Sequence, residues 1–400
     1  MWIANHRMLS GQLDPMLAGA ALIPGNGEAW DRVGRFLQFD FANPDPAKAV
    51  SEYQKAVHDD PNSSYYWMDL ASAYEDLGEF DQAQESYERA QAVYPMSAMV
   101  TWNYGNFLVR RQKDSEGYAK IQEAVRQDPK LLPLAISRVW RSTDDATVLL
   151  DRALPPTQEA YLQSLKFFTS FNLLDAGMAV WGRLVSLGTP FPPADAIPFL
   201  DKLIIGDRAQ DAQRVWKETI RLTGLSPGDS PNGALVSNGD FADDFALGGL
   251  GWRWDAPLGV VIGFDNPPPG QSGRSVRLDF GGGLNLSLDM PAQFVPVDPD
   301  HGYHFQSSIR TDQVTTESGV QFSISDPNHA KAVNVVSDNF TGSHPWTEVD
   351  LNVHTGPQTH FLEIQLIRNP SRLFENKLSG TAWIAGVSLE PANPVGAAHE

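Results

Sequence analysis

Polar side chains that could hydrogen-bond sugar hydroxyls recur at alternate positions of four short apolar runs in the second half of the chain. Large apolar residues occupy one parity of each run, which is the period of a half-buried β-strand. Amide, carboxylate and imidazole groups together offer the donors and acceptors that a sugar hydroxyl needs. If the runs share one sheet, its outward face carries six such residues, namely Asn285, His304, Gln306, Gln321, Glu363 and Gln365.

Aromatic side chains near these runs could supply the stacking surface of the same site, because their planar apolar faces fit flat apolar surfaces. The candidates are Trp252, Trp254, Trp346 and Phe361. A plainer interpretation stays open, in which outward strand positions are simply polar and Trp252 belongs to the core.

Sequence signatures of catalysis are missing. There is no Gly-x-Ser-x-Gly motif, no phosphate-binding glycine loop and no dinucleotide fingerprint. Cysteine is absent, which excludes disulfides and thiol chemistry, and none of the 9 histidines has metal-binding spacing. We therefore predict a protein that is not an enzyme and uses no catalytic cofactor. Two facing carboxylates, as glycoside hydrolysis requires, would not be visible in a sequence.

The elements that position these groups begin with a repeat in the first half of the chain. Pro61, Pro95 and Pro129 recur at one fixed interval, and an alanine, a large apolar residue and a small residue precede each at the same offsets. The middle copy adds matches at Trp67, Leu70, Ala71, Tyr74, Gly78 and Phe80. This pattern resembles the tetratricopeptide repeat, which has a period of about 34 residues. The resemblance implies pairs of antiparallel helices that must stack on their neighbours to bury an apolar face.

The helical pattern continues beyond the clear repeats, because three later segments keep a period near 3.6. We predict an α-solenoid over residues 1–223, with clear repeats in 30–131 and degenerate helix pairs in 132–223. The first helix of each pair would line a groove for a protein partner or for another copy of the chain. The candidate groove residues are Tyr66, Asp69, Asn103, Asn106 and Arg110. An ordinary polar groove with no partner is the alternative.

A change of composition separates this helical part from the rest. Residues 224–234 are rich in glycine, proline, asparagine and serine and are predicted to be a linker. Beyond them, eight short alternating runs predict an antiparallel β-sandwich or jelly roll over 235–391, followed by a tail at 392–400. The runs are Ser275–Phe280, Leu284–Leu288, Tyr303–Arg310, Gly319–Ser325, Val333–Ser337, Thr347–Val353, His360–Arg368 and Thr381–Leu389.

Both ends of the β region resemble the carbohydrate-binding modules found beside xylanases. The region opens with Leu235-Val-Ser-Asn-Gly-Asp-Phe241, and it closes with Trp383-Ile-Ala-Gly-Val-Ser-Leu389. The resemblance implies a jelly roll that binds polysaccharide. Modules of this family often hold a structural calcium with acidic residues near the two ends, and this chain keeps Asp240 but has alanine and glycine at 385 and 386. Asp240 is thus the candidate calcium ligand, and a tight turn with solvated aspartates is the alternative.

The net charge narrows the range of partners. With 30 basic and 49 acidic residues the chain carries a formal charge of -19. Nucleic acids and anionic membrane surfaces would repel it, since their binding needs clustered lysine and arginine. No apolar run approaches the roughly 18–20 residues of a membrane span.

We therefore predict a non-enzymatic scaffold of the bacterial cell envelope, with a protein partner on the solenoid and a polysaccharide on the sandwich. The predicted location is the periplasm or the cell surface, with an anchor from an upstream segment if one has been removed. A cytoplasmic location stays open. One alternative is a self-assembling filament or lattice protein in which both parts are packing modules, and a second is a glycan-active enzyme.

Overall fold

The predicted fold class is confirmed by a computed structural model, which describes residues 12–22, 25–40, 42–225, 234–245, 248–255 and 257–392. Helices fill the N-terminal part of these residues, and antiparallel strands in two sheets fill the C-terminal part. The chain divides into two compact units, Met1–Ser164 and Leu165–Glu400. Most of the predicted linker and of the predicted tail lies outside the described residues. Among the described helices, none is long and apolar enough to cross a bilayer.

The helices pair as the repeat pattern predicts. The first unit contains α1 Leu13–Ala21, α2 Gly27–Phe39, α3 Pro46–Asp59, α4 Ser64–Leu77, α5 Phe80–Val93, α6 Ala98–Arg110, α7 Asp114–Gln127, α8 Leu132–Thr143 and α9 Ala146–Val148, which continues as the π-helical segment Leu149–Ala153. The helix α10, Gln158–Ser170, contains the boundary between the units. The second unit continues with α11 Leu174–Ser186, α12 Ile197–Ile205 and α13 Ala209–Thr223.

Small residues of the repeat lie where paired helices approach closely. Ala49 and Ala83 are fully buried. At the equivalent position of the next repeat, a Cβ atom added to Gly117 would lie 2.6 Å from Cγ2 of Val109, so α6 and α7 are closer there than an alanine allows. The repeated small residue therefore sets the distance between the two helices of a pair.

Five of the helix pairs turn at a residue with left-handed backbone conformation. Gly78, Gln112 and Asp144 have φ of 77°, 61° and 50° in the first unit, and Asn172 and Asp207 both have φ of 55° in the second. This conformation ends a helix because the amide of such a residue can satisfy a carbonyl of the last turn. Of these five turns, only the first has the glycine that the sequence pattern indicated, and asparagine and aspartate tolerate the same backbone.

Nine strands form two antiparallel sheets in the described part of the second unit. They are β1 Val260–Asp265, β2 Ser275–Gly281, β3 Ala292–Pro296, β4 Gly302–Val314, β5 Gln321–Ser325, β6 Asn334–Val336, β7 Gly342–His354, β8 Phe361–Ile367 and β9 Ser379–Pro391. One sheet has the order β1-β2-β9-β4-β7 and the other β3-β8-β5-β6. The predicted strand Leu284–Leu288 is wrong, since only Leu288 forms a bridge, with Arg368.

The inward faces of the two sheets pack against each other through one apolar core. The rings of Phe305 on β4 and Phe322 on β5 lie 5.1 Å apart across the sandwich. Leu278, Ile384 and Leu362 are buried in the same core. Because side chains alternate along a strand, the residues between these positions point outward from each sheet.

Helices of the second unit pack against one side of the sandwich. Arg253 donates a hydrogen bond from Nη2 to Oδ1 of Asp201 in α12 at 2.6 Å. Asp207, in the turn between α12 and α13, lies 2.8 Å from Nδ1 of His360 and accepts a hydrogen bond from Asn328. These contacts place the end of the helical region beside the four-stranded sheet.

Candidate functional site

The polar residues predicted to share one face lie on two different sheets. His304 and Gln306 are on β4 of the five-stranded sheet, whereas Gln321, Glu363 and Gln365 are on β5 and β8 of the four-stranded sheet. The sheets pack by their inward faces, so their outward faces point in opposite directions. The prediction of a single face is therefore wrong.

Three predicted sugar-binding residues have structural roles. Trp252 is 2% exposed and donates its Nε1–H to the carbonyl oxygen of Asn238 at 3.0 Å, which places it in the core. Phe361 is fully buried, so the prediction that it points to solvent is wrong. The amide oxygen of Asn285 accepts a hydrogen bond from Nη1 of Arg368 at 2.9 Å and so orders a loop.

The outward face of the four-stranded sheet meets α12 and the turn that follows it. Burial raises the pKa of Glu363, although the charge of Arg253 opposes that rise. The guanidinium of Arg253 lies 4.7 Å from the ring centre of Phe294 on β3 and pairs with Asp201. This face makes contacts within the chain, whereas the sequence analysis predicted that Glu363 and Gln365 on β8 face a ligand. Gln321 on β5 donates to the carbonyl oxygen of Ser337.

The outward face of the five-stranded sheet is centred on Trp383 of β9. Its Nε1–H donates to Oδ2 of Asp265 on β1 at 2.8 Å, and the guanidinium of Arg310 on β4 lies 4.4 Å from its ring centre. Arg277 on β2 pairs with Asp265 at 3.1 Å and with Asp279 at 3.0 Å. The register places Arg277 directly opposite Trp383 on one side and Arg310 opposite it on the other. The result is one row of arginine, tryptophan and arginine across three adjacent strands.

Hydrogen bonds to the charged form keep Asp265 ionised. The indole N–H of Trp383 contributes most to holding the pKa of Asp265 below its usual range, and Arg277 and then Arg310 act in the same direction. Thr381 donates its hydroxyl to the neighbouring carboxylate of Asp279 at 3.0 Å. The carboxylates of this row thus already have donors from the protein itself.

Three predicted residues lie on this same sheet. Nε2 of His304 is 2.6 Å from Oδ1 of Asp350 on β7, and this hydrogen bond lowers the pKa of Asp350. Gln306 donates to the other oxygen of Asp350 at 3.4 Å. Trp346 lies in a bulge of β7 opposite Arg310, where the register between β4 and β7 shifts. Sequence reasoning missed Trp383 and Arg310, although the family-like closing segment contains the first and strand alternation points the second outward.

The remaining two predicted residues have local partners. Trp254 is partly buried and packs against the sandwich core. Oδ1 of Asp240 accepts the backbone N–H of Ala242 at 3.3 Å, which is a turn contact. Within the described residues, no three histidine, aspartate or glutamate side chains come together in a way that could hold a metal ion. The binding of calcium by Asp240 therefore stays a prediction.

Two predicted groove residues pair with side chains from the neighbouring repeat. Oδ2 of Asp69 on α4 accepts a hydrogen bond from Nε of Arg35 on α2 at 2.7 Å. Arg110 on α6 donates to both carboxylate oxygens of Glu75 on α4, at 2.8–3.0 Å. The spacing between the partners is 34 residues in the first pair and 35 in the second, so each pair joins the first helices of successive repeats.

The other predicted groove residues are also engaged. Oδ1 of Asn106 accepts a hydrogen bond from Nε of Arg138 on α8 at 3.1 Å, and Asn103 donates to the carbonyl oxygen of Met99. Tyr66 is half-buried and packs against the core of the first repeats. The polar groups of four of the five residues therefore make contacts within the stack of repeats, and Tyr66 contributes its ring to the core.

An apolar row crosses the same set of helices. Tyr65, Met99 and Leu134 each lie near the N-terminus of α4, α6 or α8 and are 49–58% exposed. Their spacing follows the repeat period, so they occupy equivalent places in successive repeats. Solvent-exposed apolar side chains in a contiguous row are typical of protein interaction surfaces. The repeat register aligns these three positions, so the sequence itself contained this signal.

One carboxylate of the first unit is both buried and only partly paired. Asp31 on α2 is 4% exposed, and its Oδ2 lies 3.1 Å from Nε of Arg35. Its other oxygen has no hydrogen-bond partner. Burial, with a smaller contribution from the charge of Asp69, raises the pKa of Asp31 to about 7. The group is therefore close to its titration point at neutral pH.

Comparison with known proteins agrees with the repeat assignment for the N-terminal part. Residues 68–131 match the family model described as tetratricopeptide repeat. The chain thus contains tetratricopeptide repeats, and proteins of this class generally mediate protein–protein interaction or scaffolding. No curated protein matches the sequence.

Solved structures with partial similarity include that of MamA, with 16% identity over 46% of this chain and 94% of that one, at a TM-score of 0.30. The Arabidopsis OM64 TPR domain has 19% identity over 26% of this chain and 84% of that one, at a TM-score of 0.24. YrrB, described as a TPR protein with an unusual peptide-binding site, has 11% identity over 54% of this chain and 94% of that one, at a TM-score of 0.28. These TM-scores are low, so the likeness says nothing about function.

Proposed function

We propose that this chain is a non-enzymatic adaptor of the bacterial cell envelope, in which the helical repeats bind a protein and the β-sandwich binds a polysaccharide. The observation that carries the second half is the row across the five-stranded sheet, where Trp383 lies between Arg277 and Arg310. An aromatic ring among fixed hydrogen-bonding groups on an outward face suits sugars, which present apolar faces edged by hydroxyls.

The lowered pKa values of this face favour binding over catalysis. Asp265 and Asp350 both have pKa values below their usual range, so both are ionised at neutral pH. A glycosidase needs one carboxyl group with a raised pKa to protonate the leaving group. The carboxyl whose pKa is raised by burial in the sandwich, Glu363, lies on the opposite sheet beside Arg253.

A glycan array followed by calorimetry on the full chain tests the polysaccharide half. Trp383→Ala is expected to weaken binding at least tenfold, because Arg310 loses the ring on which it rests. Gln321→Ala, on the outward side of the other sheet, is the matched control and is expected to bind like the unmodified chain. Absence of binding to every neutral and acidic glycan would overturn this half of the proposal.

The protein-binding half is supported by the apolar row of Tyr65, Met99 and Leu134. A photo-crosslinking amino acid at position 99 is expected to capture one defined protein in cells. Leu134→Ser in the same chain should reduce that capture, since it removes the next apolar contact of the row. Equal capture with the crosslinker at Gln82, which is exposed on a second helix of a pair, would contradict a specific surface.

Self-assembly is a second candidate, because the same apolar row could be covered by another copy. The edge strand β1 adds a further possible contact through Val261, which is 64% exposed. Sedimentation velocity separates the candidates, since assembly predicts a mass that rises with concentration and falls in Leu134→Ser. A protein that stays monomeric at all concentrations would exclude self-assembly, and the adaptor would be the remaining candidate function.

A further inference from the structure

We infer that Arg310 is a carboxylate-binding residue and that the ligand of the sandwich is an acidic polysaccharide containing uronic acids. This inference rests on the proposed polysaccharide-binding function and specifies its ligand class. It starts from a difference between two arginines of one row, which the register places on either side of Trp383.

Two of the three guanidinium nitrogens of Arg277 already have carboxylate partners. Its Nη1 pairs with Asp265 at 3.1 Å and its Nε with Asp279 at 3.0 Å. Two carboxylates thus balance its charge, and an anionic ligand would have to compete with them. The charge of Arg277 holds the two aspartates in place on either side of it.

Arg310 differs because its side chain is exposed and, among the described residues, makes no hydrogen bond or ion pair. Its guanidinium lies over the ring of Trp383, 4.4 Å from the ring centre. A guanidinium that stacks on an aromatic ring keeps its in-plane N–H donors available. The stack also restricts the side chain before any ligand arrives, so less conformational entropy is lost on binding.

The edge of the sheet leaves room beside these donors. Ile309 pairs with Thr347 and Thr311 with His344, so two residues of β7 bulge opposite the single residue Arg310. Bulges re-aim side chains and interrupt pairing at sheet edges. One of the two bulged residues is Trp346, so the register places an aromatic residue opposite Arg310.

The other charged groups of the face determine which ligand fits. Asp265, Asp279, Asp312 and Asp350 accept hydrogen bonds from protein donors, and Glu348 on β7 is a further exposed carboxylate of this edge. The donors of Arg310 fit the two oxygens of a carboxylate with the geometry of a two-point ion pair. A neutral sugar would leave this charge unpaired, whereas a uronic acid would pair it.

The net charge of the chain predicts how the binding of an acidic polysaccharide depends on salt. A formal charge of -19 repels a polyanion at long range, while the contact with Arg310 acts over a few ångströms. Salt screens long-range repulsion more than a close ion pair, because the Debye length is about 8 Å at 0.15 M salt. Raising the salt concentration from 0.02 to about 0.15 M is therefore expected to preserve or strengthen binding, unlike the binding of a polyanion to a basic protein.

The test is calorimetry on the full chain with short oligomers of galacturonate, glucuronate, mannuronate and guluronate, each beside its neutral methyl ester. At least one acid form is expected to bind tenfold or more tightly than its ester. Arg310→Gln should remove this preference, and Arg310→Lys should restore only part of it, because an ammonium lacks the two-point geometry. Arg372→Gln makes the same charge change at an exposed loop position and is expected to retain the preference.

Three results would overturn the inference. Equal binding of acids and esters would exclude uronic acids as the ligand class but would leave polysaccharide binding in place. A preference for the acid that survives in Arg310→Gln would show that Arg310 is not the carboxylate-binding residue. Absence of binding to all eight oligomers and to a wider glycan array would remove this inference together with the proposed polysaccharide function. A near-ultraviolet circular dichroism spectrum identical to that of the unmodified chain confirms that each variant is folded.

Discussion

The guanidinium of Arg110 holds the carboxylate of Glu75 across two successive repeats, with Nη2 2.8 Å from both carboxylate oxygens and Nε 3.0 Å from Oε2. The hydroxyl of Tyr87 donates to the same carboxylate at 2.8 Å. Glu75 on α4 thus joins α5 and α6. A residue predicted to face a partner instead contributes to the stack itself.

The two members of this pair are expected to differ in their effect on stability. Glu75→Ala leaves the buried hydroxyl of Tyr87 without its acceptor and should lower the free energy of unfolding by about 1–3 kcal/mol. Arg110→Ala removes a side chain that is 46% exposed and should cost less than about 1 kcal/mol. Urea unfolding followed by far-ultraviolet circular dichroism measures both. Equal losses would contradict the bridging role of Glu75.

Two glycines on helices are expected to respond to alanine with opposite signs. A Cβ at Gly117 would meet the side chain and the backbone of Val109, so Gly117→Ala should lower the melting temperature through a cost of about 1–3 kcal/mol. A Cβ at Gly182 on α11 meets nothing within 4 Å, so Gly182→Ala should stabilise by up to about 1 kcal/mol. Calorimetric melting of both variants checks the pair, and a stable Gly117→Ala would contradict the close approach of α6 and α7.

The buried carboxyl of Asp31 predicts a pH dependence of stability. Its pKa rises from 3.8 to about 7 in the folded chain, so the folded state binds more protons than the unfolded state between those values. The free energy of unfolding should therefore fall as pH rises from about 4 to about 7. Asp31→Asn removes this pH dependence. Its free energy of unfolding, compared with that of the unmodified chain at the same pH, should therefore increase by about 1–3 kcal/mol as the pH rises through that window. A difference between the two proteins that stays constant with pH would count against the raised pKa.

The indole of Trp383 is expected to control the ionisation of Asp265. Trp383→Phe keeps a ring beneath Arg310 but removes the N–H donor, so the pKa of Asp265 should rise towards its ordinary value. Carboxyl-carbon NMR across a pH titration measures this change. The pKa of Asp350, which His304 lowers, serves as the internal control and should not move.

The ion pair between Arg253 and Asp201 is expected to couple α12 to the sandwich. A double-mutant cycle with Arg253→Ala and Asp201→Ala should give a coupling energy of roughly 0.5–3 kcal/mol, because both groups are largely shielded from solvent. Thermal melting of the four proteins supplies the measurement. Strict additivity of the single losses would mean that the two side chains stabilise the second unit independently.

The repeat register predicted the helical fold well because it depends on local spacing. Ala49, Ala83 and Gly117 lie at the helix contacts that their positions indicated. Strand alternation predicted most of the sandwich for the same reason. It missed β1, in which apolar residues occupy both parities, and β3, which is short and ends at Pro296.

The candidate site was harder to predict because it depends on strand order. Alternation gives the side of a strand on which a residue lies, but it does not say which strands share a sheet. The pairing of β4 with β9 brings Arg310 beside Trp383 from 73 positions further along the chain. Likewise, no local pattern reports that Asp69 finds its partner one repeat earlier, at Arg35.

The contact between α13 and the segment after the linker has a practical consequence for dissecting the protein. A Cβ atom at Gly249 would lie 2.7 Å from the indole of Trp216 and 3.3 Å from Cδ1 of Leu200, so this short segment covers the last helix pair as an end cap. Helical arrays whose final repeat lacks such a cover tend to aggregate. A fragment cut at the linker would expose this apolar end, and expression trials should therefore carry the chain through the sandwich as a single piece.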